Sequence, residues 1–270
     1  MSVTVDVKEL LKSGAHFGHK TSRWHPKMAP YIHSKRGESH IIDLTQTAEL
    51  LETALAFVAE TVGSGKQVLL VGTKRQAQEV LLAAAEKTGM PYVTNRWLGG
   101  MLTNLETMNA RIKRLKSLEE KMASGELAAK YNKLEVQRFQ EEMDKLNFAF
   151  GGVKDMAGRP GAVFIVDVQT DAIAVKEARK LHLPVIGLVD SNVDPTPIDY
   201  PVPCNDDAIK PIALVVDYLV QAIEAGKGVH AKKVAVKQAA DDKAQAAAAK
   251  AAADEERKTK RVVASAITKE

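Results

Sequence analysis

One cysteine, Cys204, stands in a chain of 270 residues. A lone thiol excludes an intramolecular disulfide framework, and the scarcity suits a reducing compartment. Aromatic residues make up only 5% of the chain against 45% hydrophobic, so the core must be mostly aliphatic. The opening MSVTVDVKELL lacks the basic stretch and apolar core of a secretory signal, and no apolar run has the length of a membrane span. A soluble cytoplasmic protein without membrane contact is expected. Glycine-rich phosphate loops are missing too. Val71-Gly72-Thr73-Lys74-Arg75 follows a strand but has one glycine where a pyrophosphate loop needs three. Gly63-Ser64-Gly65-Lys66 precedes its strand and carries Gln67 where a magnesium-holding hydroxyl would stand. No nucleophile–base constellation is evident, and Cys204 has no protease or redox signature around it.

What is present is unevenly spread. The net charge of +4 conceals a cationic end: residues 226–270 hold eleven Lys/Arg against six Asp/Glu. Residues 1–45 carry seven cations and four anions, and residues 96–116 carry five cations and one anion. Clustered cations on a balanced background suit docking onto a polyanion by particular faces. Each patch alone also reads as ordinary solvated surface.

Apolar strands alternate with amphipathic helices. Val68–Val71, Pro91–Thr94, Ala162–Val166, Pro184–Val189 and Pro201–Cys204 read as strands. Gln76–Lys87, Ala172–Leu181 and a segment from Asp206-Asp207 to about Ile223 read as helices. This pattern predicts an α/β fold, a doubly wound parallel sheet covered on both faces. Between its halves, Leu105, Met108, Ile112, Leu115 and Met122, then Val136, Phe139, Met143, Leu146 and Phe150, recur at helical spacing among charged residues. They predict an inserted antiparallel coiled-coil helical hairpin, either a probe for a partner or a lid on the sheet. From Gly226 the chain is of low complexity, with ten alanines in residues 239–253, and a disordered or partly helical basic tail is expected. The domains are therefore 1–102 with 151–225 as the body, 103–150 as the hairpin and 226–270 as the tail.

The run Arg96-Trp97-Leu98-Gly99-Gly100-Met101-Leu102-Thr103-Asn104 joins a strand to the hairpin. Arginine offers a fork for phosphate and tryptophan a face for stacking. The same run equally reads as a domain hinge with Trp97 as a core plug. Five of the seven histidines fall between His16 and His40, and Asp190, Asp194, Asp206 and Asp207 gather at strand ends that share one rim of a parallel sheet. An imidazole with carboxylates there could hold a divalent ion. Helix capping and turn formation are the plainer uses of those acids.

In register, the chain resembles the family of ribosomal protein two of the bacterial small subunit. The matching runs are His16-Phe-Gly-His19, Trp24-His-Pro-Lys-Met28, Tyr31-Ile32, His40-Ile-Ile-Asp-Leu44, Val71-Gly-Thr-Lys74, Arg96 to Asn104, Ala174-Val-Lys-Glu-Ala-Arg179, Pro184 to Asp190 and Asn205-Asp-Asp207. They hold their order from about Leu10 to Ile223. Departures are His25 for a usual Asn, Ser191 for a usual Thr, Cys204 for a usual Gly, and an altered turn at Arg36 to Ser39. The resemblance implies a cytoplasmic, ribosome-bound structural protein of translation with no catalytic chemistry and no small-molecule substrate. It implies binding to small-subunit rRNA, neighbouring small-subunit proteins as partners, and help in attaching the mRNA-binding ribosomal protein one near the mRNA exit. No cofactor is required. A divalent metal, zinc or magnesium, is implied by motif position at His19, Asp190 and Asp206. On this reading Arg96, Arg111, Lys113 and Arg114 meet rRNA phosphates from the neck and hairpin, and Lys20, Arg23, Lys27 and Lys74 from the body. The alternative is a metal-assisted α/β enzyme acting on a sugar phosphate or nucleotide, with Asp190 and Asp206 holding the metal.

Overall fold

A computed structural model of the chain describes residues 3–236 and 238. The alanine-rich stretch from 239 onward, expected as a tail, lies outside the described residues. The chain divides into two compact units, Met1–Lys227 and Gly228–Glu270; residues 228–236 of the second are helical.

The first unit is built on a five-stranded parallel sheet. Its strands are β4 (Val68–Val71), β5 (Tyr92–Val93), β6 (Ala162–Ile165), β7 (Val185–Val189) and β8 (Tyr200–Pro203), in the order β5-β4-β6-β7-β8. The order reverses beside β4, so the crevice for a doubly wound sheet opens at the carboxyl ends of β4 and β6. Because strand side chains alternate, the apolar runs divide between two cores. Val68, Leu70, Phe164, Ile186 and Leu188 enter one, with α2 (Leu44–Gly63), α3 (Arg75–Thr88) and a helix, α8, that begins at 209. Leu69, Val71, Val163, Ile165, Val185 and Val189 enter the other, with α7 (Ala172–Lys180) and the roots of α4 (Leu105–Ala123) and α6 (Lys133–Phe150). Continuous apolar strands are what burial on both faces requires.

Between α4 and α6 lies a one-turn helix, α5 (Glu126–Lys130), that the apolar spacing does not announce. α6 opens on a capping box, Asn132 accepting from the Glu135 amide while Glu135 reaches back to the Asn132 amide. Met108, Ile112, Leu115, Phe139, Met143, Leu146 and Phe150 all join the second core. Arg114 forks onto Glu142 at 3.0 and 2.9 Å, tying α4 to α6.

Two elements differ from the sequence reading. A small antiparallel sheet precedes α2, ordered β1-β3-β2, from β1 (Phe17–Lys20), β2 (Ile32–Arg36) and β3 (Ser39–Ile42), behind the short helix α1 (Val7–Ser13). Its strands are short, mostly partly buried or exposed, and carry no clean apolar alternation, so periodicity gave no sign of them. The last body helix begins at 209 rather than at Asp206-Asp207. Asn205 Oδ1 accepts from the amides of Asp207 and Ala208, an Asx turn that leaves both aspartates outside the helix.

Candidate functional site

Four loops meet at the carboxyl rim. After β4 come Gly72, Thr73 and Lys74; after β6, Asp167; after β7, Asp190 and Ser191; after β8, Asn205, Asp206 and Asp207. β1 closes the rim from outside. A Cβ on Gly18 would lie 2.8 Å from Ser191 Oγ, so only glycine lets this strand seat against the β7 loop. His19 is thereby anchored: its amide donates to Ser191 Oγ at 2.8 Å and to Asp190 Oδ1 at 3.2 Å.

Lys74 is the centre of this arrangement. Its Nζ lies 2.8 Å from Asp206, 2.6 Å from Asp207 and 3.4 Å from Asp167. Burial pulls the ammonium toward neutrality, but Asp206 and Asp207, with Asp167 behind them, outweigh it and hold the proton more firmly than usual. An ammonium held by three carboxylate neighbours is engaged within the rim, where the sequence reading expected an RNA contact at Lys74. The phosphate-loop look of Val71-Gly72-Thr73-Lys74 has a packing origin as well, since a Cβ on Gly72 would collide with Leu81.

The rim holds more acid than this one lysine neutralises. His19 Nδ1 lies 2.9 Å from Asp190 Oδ2 and its Nε2 lies 3.3 Å from Asp207 Oδ2. Contact with Asp190 is the main influence raising the imidazole above its ordinary pKa. Even so, His19 Nδ1 and Asp190 Oδ2 are buried without a well-formed hydrogen bond. Burial, then Asp190 and Asp167, push the Asp206 carboxyl up to about 7 against the pull of Lys74. One ligand atom each from His19, Asp190, Asp206 and Asp207 falls within 4.8 Å of the others. The sequence-predicted trio is thus brought together, with Asp207 as a fourth member; its place beside Asp206 was the available signal. Asp194 sits apart, paired with Lys27 at 2.9 Å.

The neck is ordered by a residue that sequence reasoning missed. Glu177, on α7 and 8% exposed, takes five donors from the Arg96–Asn104 run. Trp97 Nε1 and the Gly100 amide donate to one carboxylate oxygen at 3.2 and 2.6 Å. The Leu102 amide, the Thr103 amide and the Thr103 hydroxyl donate to the other at 3.1 Å each. Burial pushes this carboxyl up, but the donors prevail and hold it below the usual range. Gly100 adopts φ 95°, the left-handed conformation the turn needs. Trp97 is buried in the second core, so it is the plug of the hinge reading and has no face for a base. Its neighbour Arg96 is exposed.

The other expected contacts lie at the surface. Arg23, Arg96 and Lys113 are exposed and in no ion pair among the described residues. Arg111 is exposed near Glu142, Arg114 is held by Glu142 and lies over the Phe139 ring, and Lys20 pairs loosely with Glu38 at 3.6 Å. Cys204 is fully buried, and its amide donates to Val189 O, so it extends the sheet instead of turning; burial pushes its thiol far up.

A parallel sheet covered on both faces, with a loop lysine turned inward onto aspartates at its carboxyl rim, is the α/β class of protein that the fold and site define. The chain belongs to the ribosomal protein S2 family: residues 10–226 match the family described as "Ribosomal protein S2". It is 50% identical over 223 residues to "Small ribosomal subunit protein uS2" of Roseiflexus sp. (strain RS-1), covering 83% of this chain and 85% of that one. The protein of that name from Sinorhizobium medicae (strain WSM419) is 48% identical over 216 residues, 80% of this chain and 84% of its own. Its namesake from Picosynechococcus sp. (strain ATCC 27264 / PCC 7002 / PR-6) is 48% identical, covering 83% and 87%. The family is structural, and the enzyme alternative is set aside.

Proposed function

We propose that the chain is a ribosome-bound constituent of the cytoplasmic small subunit that docks on rRNA through exposed cations of the neck, the hairpin and the small antiparallel sheet. The observation that carries this reading is the set Arg23, Arg96 and Lys113, exposed and without acidic partners among the described residues. Such cations neutralise phosphates and release counterions, giving salt-dependent affinity, and an A-form duplex presents phosphates and 2′-hydroxyls for recognition by shape. Arg111 and Lys20 add to that surface, Arg114 and Lys27, held by Glu142 and Asp194, less so, and Lys74 is left out. We assign α4 and α6 to a coiled-coil hairpin, residues 103–150, that carries part of this surface outward from a body of 1–102 and 151–225. Neighbouring small-subunit proteins, including the mRNA-binding ribosomal protein one, are the protein partners on this reading.

The rim suits a divalent cation. His19 Nδ1 and Asp190 Oδ2 are buried with no partner but each other, and an imidazole with three carboxylates is a donor set that zinc accepts. His19, Asp190, Asp206 and Asp207 would hold it. The ion would neutralise excess acid and lock β1 onto the rim; it supplies no reaction.

The test is sedimentation of a lysate through a sucrose gradient in moderate salt. Co-migration with small subunits is expected for the wild type, and its loss for Arg96→Glu/Arg111→Glu/Lys113→Glu with the fold intact. A chain that stays in the soluble fractions while ribosomes are intact overturns the reading. Arg114 is omitted from the reversal because Arg114→Glu would place like charges against Glu142.

A further inference from the structure

We infer that a cleft beneath the neck receives one unstacked nucleotide of the bound RNA, an inference that rests on the rRNA reading above. The cleft, of about 400 Å³, lies between the exit of β5 and the end of α6. That volume falls in the ~300–1,000 Å³ range of small-ligand sites. Its wall includes Tyr92, Asn95, Arg96, Asn147, Phe148 and Gly152.

Phe148 is the most exposed aromatic ring among the described residues, at 64%. It falls between Leu146 and Phe150, the two buried positions at this end of α6, so the helix turns it away from the core. A lone exposed hydrophobe needs no explanation; what distinguishes this one is its company. Asn95 Nδ2 donates to the Phe148 carbonyl at 2.8 Å, which fixes the helix end to the β5 exit and leaves Asn95 Oδ1 without a hydrogen bond. The Asn147 side-chain amide makes no hydrogen bond either. Arg96 is exposed and has no acidic partner. No carboxylate lines the cleft.

Each feature suits one part of a nucleotide. The phenyl ring offers a stacking face to a base, the two amides present both donors and acceptors to its edge, and the guanidinium takes its phosphate. A carboxylate-free wall leaves an anionic ligand unopposed. The base must be unpaired, because one held in an A-form duplex has no free face for the ring. A Cβ on Gly152 would run into the Tyr92 carbonyl, so glycine is required where the helix end approaches the strand exit. Shape recognition of duplex by the exposed cations is therefore joined by a contact with single-stranded RNA.

The test uses small subunits carrying either the wild-type chain or Phe148→Ala, irradiated to form zero-length crosslinks and probed with base-modifying reagents. The wild type is expected to give an rRNA adduct on the segments holding Tyr92 or Phe148 and to shield one base from modification. Phe148→Ala should still co-sediment, since the ring is exposed, but lose adduct and shielding; Phe148→Trp should restore both. With the isolated full chain, Phe148→Ala should weaken binding of a short single-stranded RNA roughly tenfold, the size of one lost base–aromatic stack. Wild-type chain that co-sediments with no shielded base and no adduct at residues 92–96 or 147–152 overturns the inference and leaves the docking reading standing. A protein crosslink in place of RNA at Phe148 overturns it likewise. Failure to co-sediment at all overturns both.

Discussion

Glu177 on α7 and Asp206 at the strand rim are both buried acids packed around one sheet, and they are solved in opposite ways. Glu177 meets five donors, all from a single nine-residue run: three backbone amides, one indole and one hydroxyl. Its charge is needed there, and its pKa is depressed despite burial. At the rim, Asp167, Asp190, Asp206 and Asp207 surround one lysine and one imidazole. His19 Nδ1 and Asp190 Oδ2 have no partner but each other, and Asp206 rises to about 7. A carboxylate matched by backbone amides makes a rigid joint, whereas a cluster short of positive charge is where the proposed cation would bind.

The largest expected effect is at the joint. Glu177→Ala strands four backbone or indole N–H groups and a hydroxyl, and should lower stability by about 3–5 kcal/mol in urea denaturation, the scale for breaking a buried charged network. A loss near zero would mean that the neck does not depend on its acid. Glu177→Gln, which keeps one acceptor oxygen, should lose less.

The rim should show the opposite pH behaviour. With a chelator present, folded Asp206 keeps its proton up to about pH 7, whereas an unfolded aspartate loses it near pH 4. The folded chain then binds more protons between these values, so the contribution of Asp206 falls as pH rises through that window, by about 2–4 kcal/mol. Asp206→Asn should flatten the slope. Glu177, with its depressed folded pKa, contributes stability above the ordinary carboxylate range and loses it as pH falls. Equal slopes in wild type and Asp206→Asn would erase the distinction between the two sites.

Zinc sharpens it further. At about one hundred times its dissociation constant, a bound ion should raise stability by about 2.7 kcal/mol, a gain that His19→Ala or Asp190→Asn removes and Glu177→Gln does not. Zinc binding undiminished in those rim variants would move the receptor elsewhere. The smallest effect belongs to the surface. Arg96→Glu with Lys113→Glu should shift stability by no more than about 0.5 kcal/mol while reducing co-sedimentation with small subunits. A large thermal shift would place those cations in the fold itself.

The apolar runs of β4, β6 and β7 and the spacing of Leu115, Leu146 and Phe150 made the parallel sheet and the paired helices legible, because burial on two faces or along a seam leaves a local period. Asp190 and Asp206 could be grouped because strand ends of a parallel sheet share a rim, whereas His19 joined them only through the motif position that the family resemblance implies. Other features left no local trace. β1, β2 and β3 are short, only partly buried and without a clean apolar alternation. Lys74 reads as a surface cation after a strand until the rim closes around it, and Glu177 reads as one more charge on an amphipathic helix.

The sequence by itself determined which segments are strands and helices, which acids lie at strand ends, and the family to which the chain belongs, since these depend on neighbours in the chain and on residues in register along it. Only the tertiary structure decided that Lys74 faces inward, that Trp97 is a plug, that Glu177 gathers the neck, and that Asn95, Arg96 and Phe148 share a cleft. Those outcomes depend on side chains distant in sequence, such as Glu177 and Gly100, meeting at hydrogen-bond distance, and no periodicity in the chain encodes such a meeting.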